Sequence, residues 1–231
     1  MSTNRTNFEI GQAVYLDPET GKQCQNYSAV QSSTGMNRGC MKWYIYKIQG
    51  SNLGLLLDHN TTAKVAWATK EDYIAAGGTE TNYGPSGNNN LGPVTVLKQL
   101  AIDAATWKFP ADLFGVQDIT YITGNRNWTQ SISSFYLDTN TETISPTCRP
   151  EDTSGCKYRW LYDRTGLDCV TQSGCLFNSD VQVYGYWTKT SMSTNRAYVV
   201  HKGAEVTSLN TVTMDSYGIR PVIQVPKIVF E

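Results

Sequence analysis

Residues 181–225 read VQVYGYWTKTSMSTNRAYVVHKGAEVTSLNTVTMDSYGIRPVIQV, a series of short strands separated by polar loops. Val181, Val183 and Trp187 fall on one face of a period-2 pattern, with Gln182, Tyr184, Tyr186 and Thr188 on the other. A second strand is expected over residues 197–201, a turn at Lys202 and Gly203, a return at Val206, and a final strand over residues 217–225. Pro221 has no N–H to donate, which places that last strand at a sheet edge or starts it at a bulge. No helical run and no catalytic motif interrupts the series. Strands that carry two exposed polar loops are the design of a binding surface.

Upstream, residues 12–17 predict a first strand, ended by the turn signal of Asp17, Pro18 and Gly21. Residues 41–48 and 53–58 predict a hairpin around Gly50, Ser51 and Asn52. Thr69 opens a short helix with an acidic first turn, and Gly77 and Gly78 stop it. Residues 83–92, rich in Gly and Asn, form a loop. Pro93 suits the first position of a helix whose buried stripe is Val94, Leu97, Leu100, Ala101 and Ala104, extended by Trp107. A second helix is expected over residues 112–122, stopped by Gly124. Residues 125–180 are irregular, with strands expected at 131–137 and 158–162. The economical organisation is a single domain over 1–231. Its parts are an N-terminal strand, hairpin and helices (12–124), a cysteine-containing insertion (125–180) and C-terminal strands (181–225).

The chain has 231 residues, a net charge of −1 and 17% charged residues, so no electrostatic field favours nucleic acid or an anionic membrane. Fourteen Tyr and six Trp among many Ser, Thr, Asn and Gly suit a loop-rich β protein with an adaptable surface. No apolar run is long enough to span a bilayer, and membrane insertion is not expected.

The six cysteines, Cys24, Cys40, Cys148, Cys156, Cys169 and Cys175, show no CxxC spacing, and two His make a zinc site a poor fit. An even number beside short loops favours disulfides and an exported protein over buried thiols in the cytosol. Local pairing is preferred: Cys24–Cys40, Cys148–Cys156 and Cys169–Cys175, each closing a loop that contains Gly or Ser.

Residues 185–188 (GYWT), 197–200 (AYVV), Gly203 and 218–223 (GIRPVI) resemble the ending of bacterial C-type lectin-like domains. These include formylglycine-generating-type domains, exported bacterial proteins, and variable proteins diversified by retroelements. Residues 40–43, 55–61 and Trp67 are similar to exported proteins of gut bacteria, some with a pilin-like anchor. The resemblance implies an α+β fold, a mixed and mostly antiparallel sheet with two helices and a long loop-rich insertion. It further implies that the first and last strands pair, bringing the termini together, and that ligand is held by late strands and loops. On this chain the ligand-binding candidates are Tyr184, Lys189, Thr190, Ser191, Ser193, Asn195, Ser208, Asn210, Thr211, Asp215 and Tyr217. Retroelement-diversified members accumulate Asn, Ser, Thr, Tyr and Asp there, and the mixture suits a paratope.

Other chemistries fit less well. Calcium-dependent sugar binding would need clustered oxygen ligands, and the Glu-Pro-Asn or Gln-Pro-Asp and Trp-Asn-Asp signatures are absent; Asp180, Asp215 and Asn210 are scattered. All six cysteines precede Val181, against a formylglycine-type oxidation. Asp58 and His59 with a cysteine would suggest a thiol protease, but each cysteine has a disulfide partner in prospect. His201, in a strand, reads as structural. The glycines around residues 84–87 lack phosphate-loop spacing. Asn26, Asn60 and Asn127 fit the N-glycan acceptor pattern without implying use in a bacterium. Trp43, Trp107 and Trp187 belong to the core, whereas Trp128 and Trp160 are free to meet a ligand.

The expected function is therefore an extracellular or cell-surface, adhesin-like module that binds a protein or glycan without covalent chemistry, cofactor or metal. Any leader or anchor lies outside this sequence. The alternatives are a minor pilin-type assembly subunit or a formylglycine-generating-type enzyme.

Overall fold

The hairpin read at residues 41–58 forms the centre of a six-stranded sheet. The structure is a computed structural model that describes residues 7–25, 30–31, 37–124, 134–137, 157–162, 185–201, 205–209 and 212–231. In chain order its first elements are β1 (Ala13–Asp17), β2 (Lys22–Gln23), β3 (Val30–Gln31), β4 (Asn37–Arg38), β5 (Met41–Gln49), β6 (Asn52–Leu57) and β7 (Thr62–Val65). Helices α1 (Lys70–Ala75), α2 (Glu80–Tyr83) and α3 (Val94–Asp103) follow, then β8 (Ala111–Leu113) and α4 (Val116–Thr123). Further on are β9 (Ser134–Tyr136), α5 (Arg159–Tyr162), β10 (Gly185–Ser193), β11 (Arg196–His201), β12 (Glu205–Leu209), β13 (Tyr217–Ile219) and β14 (Pro221–Pro226). One sheet runs β2-β1-β5-β6-β14-β8 and the second β7-β13-β10-β11-β12-β9, all antiparallel except β10–β13. Strands β3 and β4 pair with each other.

The central strands β6 and β11 are covered on both faces, which is why they read as nearly continuous apolar runs. In β6, Leu53, Leu55 and Leu57 pack with Trp43, Trp107, Ile223 and Phe230, while Leu56 faces the opposite cluster with Tyr46 and Val222. In β11, Tyr198 and Val200 join that same cluster, and Ala197 and Val199 face Trp67, Trp187 and α3. The cluster containing Leu56 and Tyr198 thus touches both sheets, with α4 and α5 contributing Ile119 and Leu161. Tyr186 and Trp187 lie on opposite faces of β10, as the alternation predicts. The polar face expected there is also interior, because Tyr186 and Thr188 are fully buried.

The chain passes from a strand of one sheet to a strand of the other with no helix between them at two adjacent places. The first is Asp58–Thr61, between β6 and β7; the second is Arg220, between β13 and β14. Arg220 is fully buried. Its guanidinium donates to the carbonyls of Leu57, of Leu161 at 2.7 Å and of Trp160 at 2.8 Å, and lies 5.3 Å from the Tyr186 ring centre. Thr61 N–H donates to Ile219 C=O at 2.8 Å, and Asn60 Nδ2 to Gly185 C=O at 3.1 Å. Asp103 of α3 accepts from the hydroxyls of Thr61 at 2.6 Å and Thr62 at 2.7 Å. His59 sits in this crossover, 2% exposed. Burial pushes its pKa down to about 4, with Asp58 opposing and Arg220 reinforcing the shift.

Several expectations change. The final strand divides at Arg220 into β13 and β14, which belong to different sheets. β14 is interior, between β6 and β8, and Pro221 opens it rather than lying on an edge. The first and last strands do not pair, since β5 and β6 lie between them; the ends of the chain meet instead through Phe8 and Phe230, 6.4 Å apart. Residues 112 and 113, expected at the head of a helix, pair with β14 as part of β8, so that helix begins only at Val116. Residues 159–162 are helical, not extended. Five α-helices occur among the described residues, where the resemblance implies two and the residues themselves predict three. In α3, Pro93 is the N-cap and the buried stripe is Val96, Leu100 and Asp103; Leu97 is 42% exposed. The stripe turns because Asp103 must face the Thr61 and Thr62 hydroxyls. Cys24–Cys40 forms as expected, while Cys148–Cys156 and Cys169–Cys175 lie outside the described residues, as do most of the insertion and the turn at Lys202. No helix of the described residues is long and apolar enough to cross a membrane.

Removing the Arg220 fork should unseat both crossovers. Arg220→Met takes a donor from the carbonyls of Leu57, Trp160 and Leu161, of which Leu161 keeps the Tyr186 hydroxyl, so urea unfolding should report a loss of about 2 kcal/mol or more. Arg220→Lys should recover only part of it, because an ammonium lacks the planar fork. His59 predicts an acid limb. The unfolded imidazole takes up a proton near pH 6.5 and the folded one only near 4, so stability falls as pH drops through this window. The slope should reach about 1.4 kcal/mol per pH unit and be absent in His59→Asn. Asp103, whose carboxyl is pushed up by burial, contributes with the opposite sign, so the His59 share is the difference between the two unfolding curves.

Candidate functional site

Two strand irregularities face each other across a surface groove. In β5 the pairing with β6 passes from Ile45↔Leu55 to Lys47↔Gly54, leaving Tyr46 as the extra residue of a bulge. A bulge bends its strand and re-aims a side chain. Gly54 admits the result: a Cβ there would stand 2.8 Å from the Tyr46 ring. In β10 the pairing with β11 jumps from Trp187↔Val199 to Ser191↔Ala197, so the intervening residues leave the ladder. The Thr188 hydroxyl supports this departure, donating to Tyr198 C=O at 2.9 Å and accepting from Thr190 N–H at 3.2 Å. Lys189 N–H then bonds Phe114 C=O at 3.0 Å, tying β10 to the connection between β8 and α4.

The start of α4 completes the groove. Gly115 N–H donates to Asp118 Oδ2 at 2.9 Å, the reach-back of a capping box, and Val116 N–H donates to Thr190 Oγ1 at 3.0 Å. Asp112 Oδ1 accepts from Leu113 N–H at 2.7 Å. The groove encloses about 150 Å³, with Val222 and Ile223 behind and Tyr46, Lys47, Asp112, Asp118, Lys189 and Gln224 supplying its polar groups. Lys189 Nζ lies 2.6 Å from Asp112 Oδ2, and Lys47 Nζ 3.6 Å from Asp118 Oδ1. Gln224 Nε2 donates to the Tyr46 hydroxyl at 3.2 Å. Burial, then Asp118 and Asp112, hold the Tyr46 phenol well above its ordinary pKa, so it keeps its proton and serves as a hydrogen-bond donor rather than a base.

The ligand candidates read from sequence divide into outward and inward sets. Lys189, Ser191, Ser193 and Asp215 are exposed, and Asn195 is half-buried with its carbonyl accepting from Val212 N–H at 3.0 Å. Thr190, Ser208 and Tyr217 are interior, which removes their side chains from an outer face. Thr190 is turned in by the α4 bond, and Tyr217 packs on Trp187 at 5.4 Å and His201 at 6.4 Å. Tyr184, Asn210 and Thr211 lie outside the described residues, as do Asp180 and Trp128. Trp160 is half-buried against Tyr44 and over Gly11. Asn60 is interior with its amide engaged, so it is no glycan acceptor.

Among the described residues, Lys189 is the one sequence candidate that also lines the groove. Tyr46, Lys47, Asp112, Asp118 and Gln224 escaped notice because the bulges that gather them depend on pairings between distant segments. Gly54 inside a strand was the available signal, since an interior strand glycine marks a bulge or a close approach.

Thr190→Val should strand the Val116 N–H and destabilise the protein by about 1–3 kcal/mol, whereas Thr190→Ser should be close to neutral; chemical denaturation of the two variants decides this. No family model, curated protein or solved structure matches the chain.

Proposed function

We propose that the protein is an exported binding module that recognises a protein or glycan partner through the outer side of β10 and the groove beside it, without covalent chemistry. The observation that carries this reading is the pair of opposed bulges, at Tyr46 and at residues 188–190, around a preorganised polar groove. Lys189, Ser191 and Ser193 extend the same exposed strip beyond it. The phenol held protonated at the groove suits recognition better than proton abstraction. The Cys24–Cys40 disulfide accords with an oxidising compartment outside the cytoplasm.

A C-type lectin-like ancestry, and within it a retroelement-diversified variable protein, is the finer form of this proposal. Support comes from the α+β architecture, the meeting of the termini and the polar residues on β10. The separation of β1 from β14 departs from the pairing that such ancestry implies.

A protein and glycan array probed with the wild-type chain and with the Lys189→Ala, Ser191→Ala, Ser193→Ala triple variant tests the surface. Partners captured by the wild type should bind the variant about tenfold more weakly or worse, about 1.4 kcal/mol. Equal capture of every partner by both proteins would refute the assignment.

A further inference from the structure

We propose that the groove between Tyr46 and Lys189 receives one uncharged, hydroxyl-rich ring, that is, a neutral sugar unit. The inference rests on the contact surface proposed above and names the ligand class for it.

Size comes first. Pockets for drug-sized ligands enclose about 300–1,000 Å³. At about 150 Å³ the groove holds a single ring or one side group, with the rest of any larger ligand left on the surface.

Charge comes second. Two ammonium groups and two carboxylates line the groove, and each is already closed on its opposite, Lys189 on Asp112 at 2.6 Å and Lys47 on Asp118 at 3.6 Å. Their fields cancel, so the lining attracts neither anion nor cation. A charged ligand would meet a repelling group beside each attracting one.

A hydroxyl group has no such cost. An ammonium carries three N–H donors and an ionised carboxylate about four acceptor sites. The Lys189–Asp112 contact and the Leu113 N–H use only part of that capacity. Groups that both donate and accept can bridge beside each pair without separating it. Vicinal hydroxyls on a ring offer these in the required alternation, and the protonated Tyr46 phenol and the Gln224 amide add a further donor and acceptor.

The groove's edge fits the same ligand. Tyr121 of α4 is 45% exposed, and its ring is anchored because its hydroxyl donates to Ile48 C=O at 2.6 Å and accepts from Ile48 N–H at 3.1 Å. The Lys47 ammonium lies over that ring, 6.0 Å from its centre, and also contacts Asp118, so the ring stands at the groove's edge with one face toward Lys47. A fixed, half-exposed ring beside a polar slot provides apolar contact for a second unit.

The full chain should be titrated by NMR with neutral methyl hexosides (glucoside, mannoside and galactoside), and in parallel with glucuronate and with protonated glucosamine. At least one neutral probe is expected to shift the backbone amides of Gly115, Lys189 and Gln224 at millimolar concentration. Its affinity should change less than about twofold between low and high salt, because no net charge is neutralised. Asp112→Asn with Lys189→Met, which keeps shape and removes one pair, should weaken it about tenfold, and Tyr121→Ala should weaken a disaccharide more than a monosaccharide. If the double variant unfolds at a lower urea midpoint than the wild type, Lys189→Met alone replaces it. Preference for either charged probe, or a steep fall with salt, overturns the neutral-sugar class and leaves the binding surface standing. Silence of these three amides toward every probe overturns the groove as a sugar site. Only if array capture is also indifferent to the β10 residues does the binding-module reading fall with it.

Discussion

The buried guanidinium of Arg220 is the constraint on which the two-sheet arrangement depends. A charged group with no exposed surface requires hydrogen-bond partners, and three carbonyls from two separate segments provide them. One of these is the last residue of β6 and the others belong to α5, so a single side chain fixes where the hairpin ends and where that helix docks. The same residue stands where the chain leaves one sheet for the other. The neighbouring crossover, Asp58–Thr61, is polar for a related reason. Backbone that departs a ladder in the interior must find other partners, and Ile219 C=O, Gly185 C=O and the Asp103 carboxylate provide them.

From these two crossings follows the position of the groove. With β14 held between β6 and β8, the β8–α4 connection is brought beside β10, and the Lys189 amide bonds to it directly. Neither sheet alone contains the site. Tyr46 and Gln224 come from the first sheet, Lys189 from the second, and Asp118 from the helix that caps their junction. Strands and a helix, rather than loops, present the polar groups. Such mounting leaves little conformational freedom to be lost on binding.

What could be read in the chain beforehand was local. The β5–β6 hairpin and β1, β11 and α1 with its Thr69 cap all carry signals within a few residues of themselves, and the structure agrees with them. Cys24–Cys40 was legible because the loop is short. Long-range pairing was not. The run from Tyr217 to Val225 has strand chemistry throughout, and nothing in it marks Arg220 as the point where two sheets part. Arginine is rarely interior, so its burial could be seen only with Leu57, Trp160 and Leu161 around it. Likewise, Asp112 and Leu113 sit in a stretch of acceptable helical pattern, and the pairing with Val222 and Pro221 overrode it. The polar residues of the late strands were recognised as a group, but period-2 reasoning assumed one solvated face. Both faces of β10 are covered as far as Thr188; beyond it Thr190 turns inward to α4 and Lys189, Ser191 and Ser193 stay outside, while Tyr217 of β13 packs on Trp187.

That alternation limits how the surface can change if its sequence is free to vary. Along β10, Tyr186, Trp187, Thr188 and Thr190 are interior, and each has a contact that another residue type would not supply. Tyr186 donates to Leu161 C=O at 2.9 Å, Trp187 Nε1 to Val65 C=O at 2.7 Å, Thr188 sustains the bulge, and Thr190 caps α4. Substituting any of these strands a buried polar group or opens a cavity, each worth a sizeable share of a marginal total stability. The side chains at 189, 191 and 193 carry no such load. Variation can therefore enter at every second residue after the bulge without reaching the core. Position 189 differs from the other two, because its charge also closes on Asp112 within the groove. A change there would alter the charge balance of the groove, whereas changes at 191 and 193 would leave it as it is.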